Sequence, residues 1–245
     1  MEVRKSMSRP DCFVVGFFKC GTTSLYKMLM QHRNILVSKE KENLFWGNVG
    51  LYKKGISWYE KTYYDFPKNI EDKVIEVNPA MTEIPGTAKR LSQYYSRETP
   101  IVFMLRNPVD ILYSAFKYDI SSGLGSLRRT WYCKKHSFSV GFEHYIMQHK
   151  NIEINKYKHR YSCWIKEYQK YFDNIEVIFL EDVVSDADKV YSEIIDFFGL
   201  EKDNNVEINI KENVSDFLPR YPLLNKVDWE MRILKRWLRE GGNME

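Results

Sequence analysis

The sequence predicts an α/β domain in which helices cover both faces of a central parallel β-sheet. Short apolar runs rich in Val, Ile and Phe alternate with segments of helical spacing, which is typical of βα units. The chain has 245 residues, of which 44% are hydrophobic, so it can bury one large core. Because no linker-like stretch interrupts it, we interpret residues 1–245 as a single domain.

Five strands are predicted from these apolar runs. The four stronger ones are Cys12–Phe17, Val74–Val77, Ile101–Leu105 and Ile175–Leu180. A weaker strand is predicted at Ile35–Ser38. Helical spacing follows three of the stronger runs, at Thr22–Gln31, Pro108–Phe116 and Ala187–Phe198. The last of these helices is expected to end at Gly199, because glycine readily adopts the left-handed conformation that closes a helix.

Two segments depart from this alternation. Residues Ser121–Lys150 are rich in Ser, Gly, Arg and aromatic residues, which predicts an insertion at the sheet edge. Further along, Val227–Arg239 has the spacing of an amphipathic helix.

Composition and charge narrow the class of protein. The net charge of +4 is too small to indicate a nucleic-acid partner, and no stretch approaches the roughly 18 apolar residues of a membrane helix. The first apolar run is too short for a signal peptide, so we expect a cytoplasmic protein. The four cysteines and five histidines have no metal-ligand spacing, and we therefore expect no bound metal.

The loop after the first predicted strand has the composition of a phosphate-binding site. Gly16 and Gly21 have the spacing of a nucleotide phosphate loop, but Thr22 replaces the usual lysine, and Lys19 lies inside the loop instead. Backbone N–H groups at the start of a helix bind anions. We therefore predict that the phosphates of a nucleotide contact Lys19, Cys20, Gly21, Thr22, Thr23 and Ser24.

This segment resembles a known phosphate loop. GFFKCGTTSLYKMLMQH is similar to the 5′-phosphosulfate loop of sulfotransferases that use 3′-phosphoadenosine 5′-phosphosulfate (PAPS), whose pattern is Lys-x-Gly-Thr-Thr before a helix. The resemblance is strongest to the bacterial and Golgi carbohydrate sulfotransferases. It implies a P-loop-like fold, PAPS as co-substrate and 3′-phosphoadenosine 5′-phosphate (PAP) as co-product, with no metal. Lys19 would then stabilise the leaving phosphate oxygen.

An arginine and a serine follow the strand predicted at Ile101–Leu105. Arg106 lies at the strand end, and Ser114 follows eight residues later within the predicted helix. Arginine can bind a phosphate with two parallel hydrogen bonds, and serine adds a neutral donor. The pair resembles the 3′-phosphate element of the same family. Arg220, in a segment similar to the cofactor lid of bacterial members, is a further predicted phosphate contact.

Attack on sulfur by an acceptor requires a base for the acceptor proton. In the branch that this chain resembles, the base is a Glu with a pair of aromatic residues shortly after it. Glu42, with Phe45 and Trp46 after it, matches that pattern. Lys41, together with Lys19, is expected to stabilise the oxygen that leaves the sulfur.

The third predicted strand departs from the family pattern. Some glycan sulfotransferases carry Glu-Lys-x-Pro at this point, whereas this chain reads Glu76-Val77-Asn78-Pro79. Val77 replaces a lysine that would lie close to the reacting atoms. Glu76 is a secondary candidate for contact with the acceptor, and the departure leaves the acceptor class open.

Two regions are expected to select the acceptor, Gly47–Asn69 and Ser121–His159. They combine basic residues with the aromatic residues Tyr52, Trp58, Tyr59, Tyr63, Tyr64, Trp131 and Tyr132. Aromatic faces suit sugar rings and basic groups suit acidic glycans, which favours a carbohydrate acceptor. The same residues are consistent with local packing, and a phenolic or lipid-like small molecule is the alternative acceptor.

Two other classes of protein remain open from the sequence alone. In a metal-dependent kinase, the Gly16 loop would bind ATP and Asp182 would hold Mg²⁺. That interpretation does not explain why no lysine follows Gly21, or why Arg106 and Ser114 have their spacing. The other alternative is a phosphate-binding module without chemistry, which only the mild basic charge and the aromatic content support.

Overall fold

The computed structural model describes residues 8–67, 69–82, 84–121 and 161–208. Its contacts divide the chain into two compact units, one of Met1–Arg106 with Tyr161–Glu212 and one of Asn107–Arg160 with Asn213–Glu245. We describe each unit by itself, and the assignment of residues 1–245 to a single domain stays a prediction. The helix predicted at Val227–Arg239 and the insertion predicted after Ser121 lie outside the described residues.

The first unit is built on a parallel sheet of five strands. They are β1 (Cys12–Gly16), β2 (Ile35–Val37), β3 (Lys73–Val77), β4 (Ile101–Leu105) and β5 (Ile175–Phe179). Their order in the sheet is β2-β3-β1-β4-β5, and every neighbouring pair is parallel. The predicted fold class and the five predicted strands are confirmed, with ends that differ by at most one residue.

Eight helices lie in the described residues, and those of the first unit flank the sheet. In chain order they are α1 (Thr22–Leu29), α2 (Val49–Tyr52), α3 (Ile56–Tyr63), α4 (Thr87–Leu91), α5 (Pro108–Ser121), α6 (Tyr161–Gln169), α7 (Leu180–Ser185) and α8 (Ala187–Phe197). A 3₁₀ turn covers Pro79–Met81. The predicted stop at Gly199 is confirmed, because its φ is 71° and its N–H donates to Asp196 O at 2.8 Å.

The three central strands, β3, β1 and β4, form the core of the first unit. Every residue of β1 and β4 is buried, as are the last four residues of β3. Branched and aromatic side chains fill these strands because they pack well on a pleated surface. Tyr95 packs edge-on against Phe13 and Tyr168 against Phe103, with ring centroids 4.8 and 5.2 Å apart. Each large buried apolar side chain stabilises the fold by about 1.5–3 kcal/mol.

The described part of the second unit is helix α5. Asn107 Oδ1 accepts a hydrogen bond from the Val109 N–H at 3.0 Å, which caps the helix. Pro108 occupies the first turn, where the missing N–H is not needed. The helix runs to Ser121 and so extends beyond the predicted end at Phe116. No helix in the described ranges of either unit is both long enough and apolar enough to cross a bilayer.

Candidate active site

The loop between β1 and α1, residues 17–21, turns at the carboxyl end of the sheet. The Phe17 N–H donates to Met104 O of β4 at 2.8 Å, and the Cys20 N–H donates to Phe17 O at 3.3 Å. Gly21 precedes α1 with a left-handed φ of 85°, and Lys19 is also left-handed, with φ 64°. Amides in the first turn of a helix have no carbonyl partner within that helix. The loop therefore combines a lysine with helix-start amides, as an anion site requires.

Arg106 joins this loop from the end of β4. Its Nη1 donates to the Lys19 carbonyl at 3.2 Å, and Tyr161 Oη donates to the Arg106 carbonyl at 2.6 Å. The Tyr161 ring also packs on Phe17, with centroids 4.6 Å apart. β1 and β4 are adjacent in the sheet. The strand that follows β1 in the chain, β2, lies on one side of this pair, and the strand that follows β4, β5, lies on the other side. The contact between Arg106 and the loop therefore lies at the topological switch point, where parallel sheets bind ligands. Arg106 and the loop, predicted as separate phosphate-binding elements, are in contact.

The other loop residues differ in exposure. Cys20 is buried, its Sγ donates to Phe18 O at 3.5 Å, and burial raises the pKa of its thiol to about 12. The thiol therefore stays protonated at neutral pH and adds no negative charge next to an anion, while the Cys20 N–H already donates to Phe17 O. Thr22 is buried, whereas Thr23 and Ser24 are half-buried.

Both loop glycines allow neighbouring segments to approach closely. A Cβ at Gly16 would lie 2.5 Å from Thr82 Oγ1, and a Cβ at Gly21 would lie 2.6 Å from Leu180 Cδ1. Thr82 also donates its hydroxyl to the Val15 carbonyl. The glycine spacing therefore reflects tight packing around the loop as well as the turn itself.

Glu42 lies in the segment between β2 and α2, which we call the base segment (residues 38–48). Its carboxylate is paired with the ammonium of Lys41, and the two side chains are 33% and 17% exposed. Glu42 has a φ of 60°, so it shares with Lys19 a left-handed backbone that residues other than glycine rarely adopt. The structure thus brings the two catalytic residues predicted in this segment together.

Glu76 of β3 is the centre of a buried polar cluster. Its Oε1 accepts from Asn43 Nδ2 at 3.0 Å and Asn78 Nδ2 at 2.9 Å, and its Oε2 accepts from Tyr64 Oη at 2.7 Å and from Tyr59 Oη. Burial raises the pKa of the carboxyl group, and these hydrogen bonds oppose part of that increase. Since Glu76 has no exposed surface, the expectation that it contacts the acceptor is wrong.

The aromatic residues of Gly47–Asn69 belong largely to the core. Three of the residues predicted to suit sugar rings are fully buried: Tyr59, Tyr63 and Tyr64. Local packing is therefore their role. Tyr52 and Trp58 keep part of their surface exposed, and Lys54 Nζ lies 4.5 Å from the Trp58 ring centroid, in cation–π contact. Within this region, an acceptor has Tyr52 and Trp58 as accessible aromatic surfaces.

Four predicted site residues lie elsewhere in the chain. Ser114 is half-buried in α5, within the second unit. Arg220, Trp131 and Tyr132 lie outside the described residues. In the ranges that the structure describes, no group of three or more His, Cys, Asp or Glu side chains could hold a metal ion.

Two residues that support the site were missed from the sequence, Tyr161 and Asn43. Tyr161 follows the long segment after α5, so no spacing relates it to the Arg106 carbonyl that it contacts. Asn43 did leave a signal, because a neutral amide between Glu42 and an aromatic pair suggests a buried hydrogen-bonding role.

Comparison with known proteins assigns the family. The family model for the sulfotransferase domain matches residues 9–233. The chain belongs to the sulfotransferase domain family. The sulfotransferase is therefore an enzyme of the sulfuryl-transferring class, and this assignment replaces the kinase and binding-module interpretations.

Two curated relatives match parts of the sulfotransferase. The membrane-associated sulfotransferase kil1 of Dictyostelium discoideum is 29% identical over 149 residues, which are 60% of this chain and 30% of that protein. The bifunctional heparan sulfate N-deacetylase/N-sulfotransferase 4 of Mus musculus is 30% identical over 117 residues, which are 46% of this chain and 13% of that protein. The sulfotransferase thus spans less than a third of the length of these relatives.

Solved structures share the fold. The sulfotransferase from Alicyclobacillus acidocaldarius is 24% identical, with a TM-score of 0.62 over 97% of this chain and 98% of that chain. The sulfotransferase domain of the Synechococcus olefin synthase is 12% identical, with a TM-score of 0.53 over 92% and 94%. Mouse sulfotransferase SULT7A1, solved with PAP, is 18% identical, with a TM-score of 0.50 over 80% and 62%. These likenesses confirm the predicted P-loop-like sulfotransferase fold.

Proposed function

We propose that this sulfotransferase moves a sulfuryl group from PAPS directly to a hydroxyl or amine of a carbohydrate. The observation that carries the proposal is the contact between the Arg106 guanidinium and Lys19 at the carboxyl ends of β1 and β4. It joins two cationic residues to the start of α1, which suits a nucleotide with phosphate groups at both its 5′ and 3′ positions. SULT7A1, which shares the fold, was solved with PAP, and this supports the same donor here.

The residues fit PAPS by charge and by hydrogen-bond type. Lys19 and the backbone amides of Gly21, Thr22 and Thr23 would hold the 5′-phosphosulfate, because helix-start amides and a lysine both favour anions. The amides of Cys20 and Ser24 already donate to Phe17 O and Gly21 O. Arg106 would hold the 3′-phosphate with its planar group of donors, and Ser114 and Arg220 are the further contacts proposed from the sequence. PAPS supplies the sulfuryl group when it is bound.

Proton transfer is assigned to the base segment. Glu42 takes the proton from the attacking hydroxyl or amine, and Lys19 stabilises the negative charge that develops on the leaving phosphate oxygen. Lys41, predicted from the sequence to stabilise the leaving oxygen, is paired with Glu42. We therefore assign Lys41 to the orientation of the base, and no metal ion takes part in this scheme.

A carbohydrate is the acceptor class that the exposed surface supports best. Trp58 keeps part of its ring exposed, and Lys54 Nζ lies 4.5 Å from the ring centroid, so a sugar that contacts the exposed part of the ring would have a cation for its acidic group close by. One relative is named for heparan sulfate N-sulfotransferase activity, which is consistent with an acidic glycan. A phenolic or lipid-like molecule is the alternative acceptor, and it would gain from the aromatic face without the charge of Lys54.

Isothermal titration calorimetry with PAP and with ATP, each with and without Mg²⁺, tests the donor. Because Lys19 and Arg106 bind phosphate directly, PAP should bind equally well in either condition. Adenosine 5′-monophosphate, which lacks the 3′-phosphate, should bind at least about tenfold more weakly, since it loses a charged hydrogen-bonding partner. Binding of Mg·ATP in preference to PAP would contradict the proposal.

Transfer of radioactive sulfate from labelled PAPS to a panel of acceptors tests the acceptor class. The panel contains N-desulfated and O-desulfated acidic glycans, a neutral glycan, a simple phenol and a long-chain alcohol. We expect the acidic glycans to be labelled fastest and Lys54→Ala to slow that reaction selectively. Faster labelling of the phenol or the alcohol would replace the carbohydrate with the alternative acceptor.

A further inference from the structure

The buried cluster around Glu76 is tied to the base segment by two separate hydrogen bonds. One joins the Asn43 side chain to Glu76 Oε1 at 3.0 Å, and the other joins Asn78 Nδ2 to the Asn43 main-chain carbonyl at 2.7 Å. Asn43 Oδ1 also accepts from the Phe45 N–H at 3.2 Å. Both the side chain and the backbone of Asn43 are therefore held, and Asn43 is the residue that follows Glu42.

This anchoring has a consequence for Glu42. A left-handed backbone is unfavourable for glutamate and persists only where the surroundings determine it. Of the contacts that the structure shows around the base segment, those of Asn43 lie next to this strained residue and lead into the rigid end of β3. Asn78 in turn donates its main-chain N–H to Val14 O of β1 at 2.8 Å, so the anchor is continuous with the central strand.

We propose that Glu76 is a positioning residue for catalysis, which fixes Asn43 and thereby holds Glu42 in the backbone conformation that directs its carboxylate at the acceptor. The inference rests on the proposed role of Glu42 as the base. It explains why a carboxyl group is buried at the end of β3 without a cationic partner among its hydrogen-bonded neighbours, all of which are neutral.

The donors around Glu76 predict which substitutions preserve the anchor. Each carboxylate oxygen accepts two hydrogen bonds, one oxygen from the asparagine amides and the other from the tyrosine hydroxyls. In Glu76→Gln, the remaining oxygen can face Asn43 and Asn78 while the new NH₂ donates to the hydroxyls of Tyr59 and Tyr64, which can rotate to accept. Glutamine should therefore preserve the anchor, whereas an apolar side chain should remove it.

Four variants and two measurements test the inference. The variants are Glu76→Gln, Glu76→Leu, Asn43→Ala and the control Tyr168→Phe, which removes a buried hydroxyl whose hydrogen bond goes to Met81 O at 3.2 Å and not to Asn43. The measurements are hydrogen exchange of the amides in residues 38–48, and kcat and KM for PAPS normalised to the number of PAP-binding sites. Asn43→Ala keeps the test decisive if Glu76→Leu does not fold.

We expect Asn43→Ala to accelerate exchange in residues 38–48 by roughly tenfold or more. It should lower kcat by about a hundredfold with little change in KM for PAPS, because a small displacement of a catalytic group is enough for such a loss. Glu76→Gln should stay within about threefold of wild type in kcat, because its anchoring bonds are kept. The inference is overturned if Tyr168→Phe loses kcat as Asn43→Ala does, or if Asn43→Ala leaves kcat per binding site unchanged.

Failure of the proposed function gives a different result. If wild type transfers no sulfuryl group, the proposed function falls, and hydrogen exchange alone decides whether Glu76 anchors the base segment. Faster exchange in Glu76→Leu and in Asn43→Ala, but not in Tyr168→Phe, then supports the anchor. The anchor is overturned if residues 38–48 exchange at the same rate in Asn43→Ala and in Tyr168→Phe.

Discussion

Lys19 and Glu42 share a backbone conformation that is unusual for their residue type. In the part of the chain that the structure describes, they are the two non-glycine residues with a positive φ, at 64° and 60°. A left-handed backbone costs a residue with a Cβ about 1–2 kcal/mol. The two side chains assigned to the leaving oxygen and the acceptor proton therefore both lie at strained positions, and such strain is concentrated at functional sites.

Replacing Lys19 with alanine tests its role at the leaving oxygen. Since the charge on that oxygen develops in the transition state, we expect kcat to fall by on the order of a hundredfold or more, with a smaller loss of PAP affinity. Lys27→Ala is the matched control, because Lys27 is an exposed lysine in the last turn of α1, the helix that follows the loop of Lys19. Near-normal turnover in Lys19→Ala, measured with labelled PAPS, would remove Lys19 from the mechanism.

The strain at Glu42 predicts that a substitution which relieves it preserves or raises stability and lowers activity. Asparagine tolerates the left-handed region better than glutamate does, so Glu42→Asn should leave the free energy of unfolding unchanged or raise it by up to about 1 kcal/mol. It should also lower kcat by about a hundredfold or more, because the base is lost. Glu40→Asn, in the same segment but outside the left-handed region, should keep its turnover and gain no stability. Urea unfolding and the transfer assay measure both effects.

The loop from β1 to α1 depends on the glycine before the helix. Gly21→Ala places a Cβ at φ 85° and 2.6 Å from Leu180 Cδ1, so both the backbone and the packing resist it. Gly199→Ala is a matched control, because its φ is 71° and a Cβ there meets nothing within 4 Å. Gly199→Ala should lose about 1–2 kcal/mol of unfolding free energy from the left-handed backbone alone, and Gly21→Ala should lose more, because its Cβ also clashes with Leu180.

Calorimetry with PAP separates these two glycine variants. Only Gly21→Ala should weaken PAP binding, because only this glycine shapes the predicted phosphate loop. Equal PAP affinity in the two variants would show that the loop does not form the donor site.

The five strands and helices α1, α5 and α8 could be predicted from the sequence, and the other five described helices could not. Val, Ile and Phe in unbroken runs indicate the strands, because the central strands are buried on both faces. Helices α2, α4 and α7 have four to six residues, which is too short for a helical period to show. Glu76 was misassigned because its partner Asn43 is 33 positions away, and only the folded sheet brings them together.

At the scale of the whole molecule, the buried carboxyl group of Glu76 links stability to pH. Burial raises its pKa in the folded state above the ordinary value of 4.5, so the folded state binds the proton more tightly than the unfolded state does. Its stabilising contribution is therefore complete below pH 4.5 and is lost as the pH rises through the raised value. The groups that hydrogen-bond to it are the Tyr59 and Tyr64 phenols and the Asn43 and Asn78 amides, and the phenols of Tyr95 and Tyr168 also interact with its charge.

Urea unfolding of wild type and Glu76→Gln at a series of pH values isolates this linkage. The unfolding free energy of wild type minus that of Glu76→Gln should fall as the pH rises above the ordinary value, by at most about 1.4 kcal/mol per pH unit, and then level off. A difference that rises with pH would mean that the hydrogen bonds to Glu76 outweigh its burial.

Membership of the sulfotransferase family describes one catalytic domain. It does not give the cellular location or the domain organisation of the protein. The matched relatives are more than three times as long as the regions they share with this chain, and one of them is named as membrane-associated. The cytoplasmic location and the single-domain organisation therefore stay predictions. Fractionation of cells that produce the protein would test the location directly.

The central place of β1 also governs when the protein can fold during synthesis. β1 precedes β3 and β4 in the chain, yet it pairs with both of them, so its edges stay open until Lys73–Val77 and then Ile101–Leu105 have left the ribosome. The apolar strand that leads into the phosphate loop is thus exposed for much of translation, and open strand edges are prone to aggregation. Chaperone demand in a producing cell should accordingly be greatest for nascent chains that stop before β4.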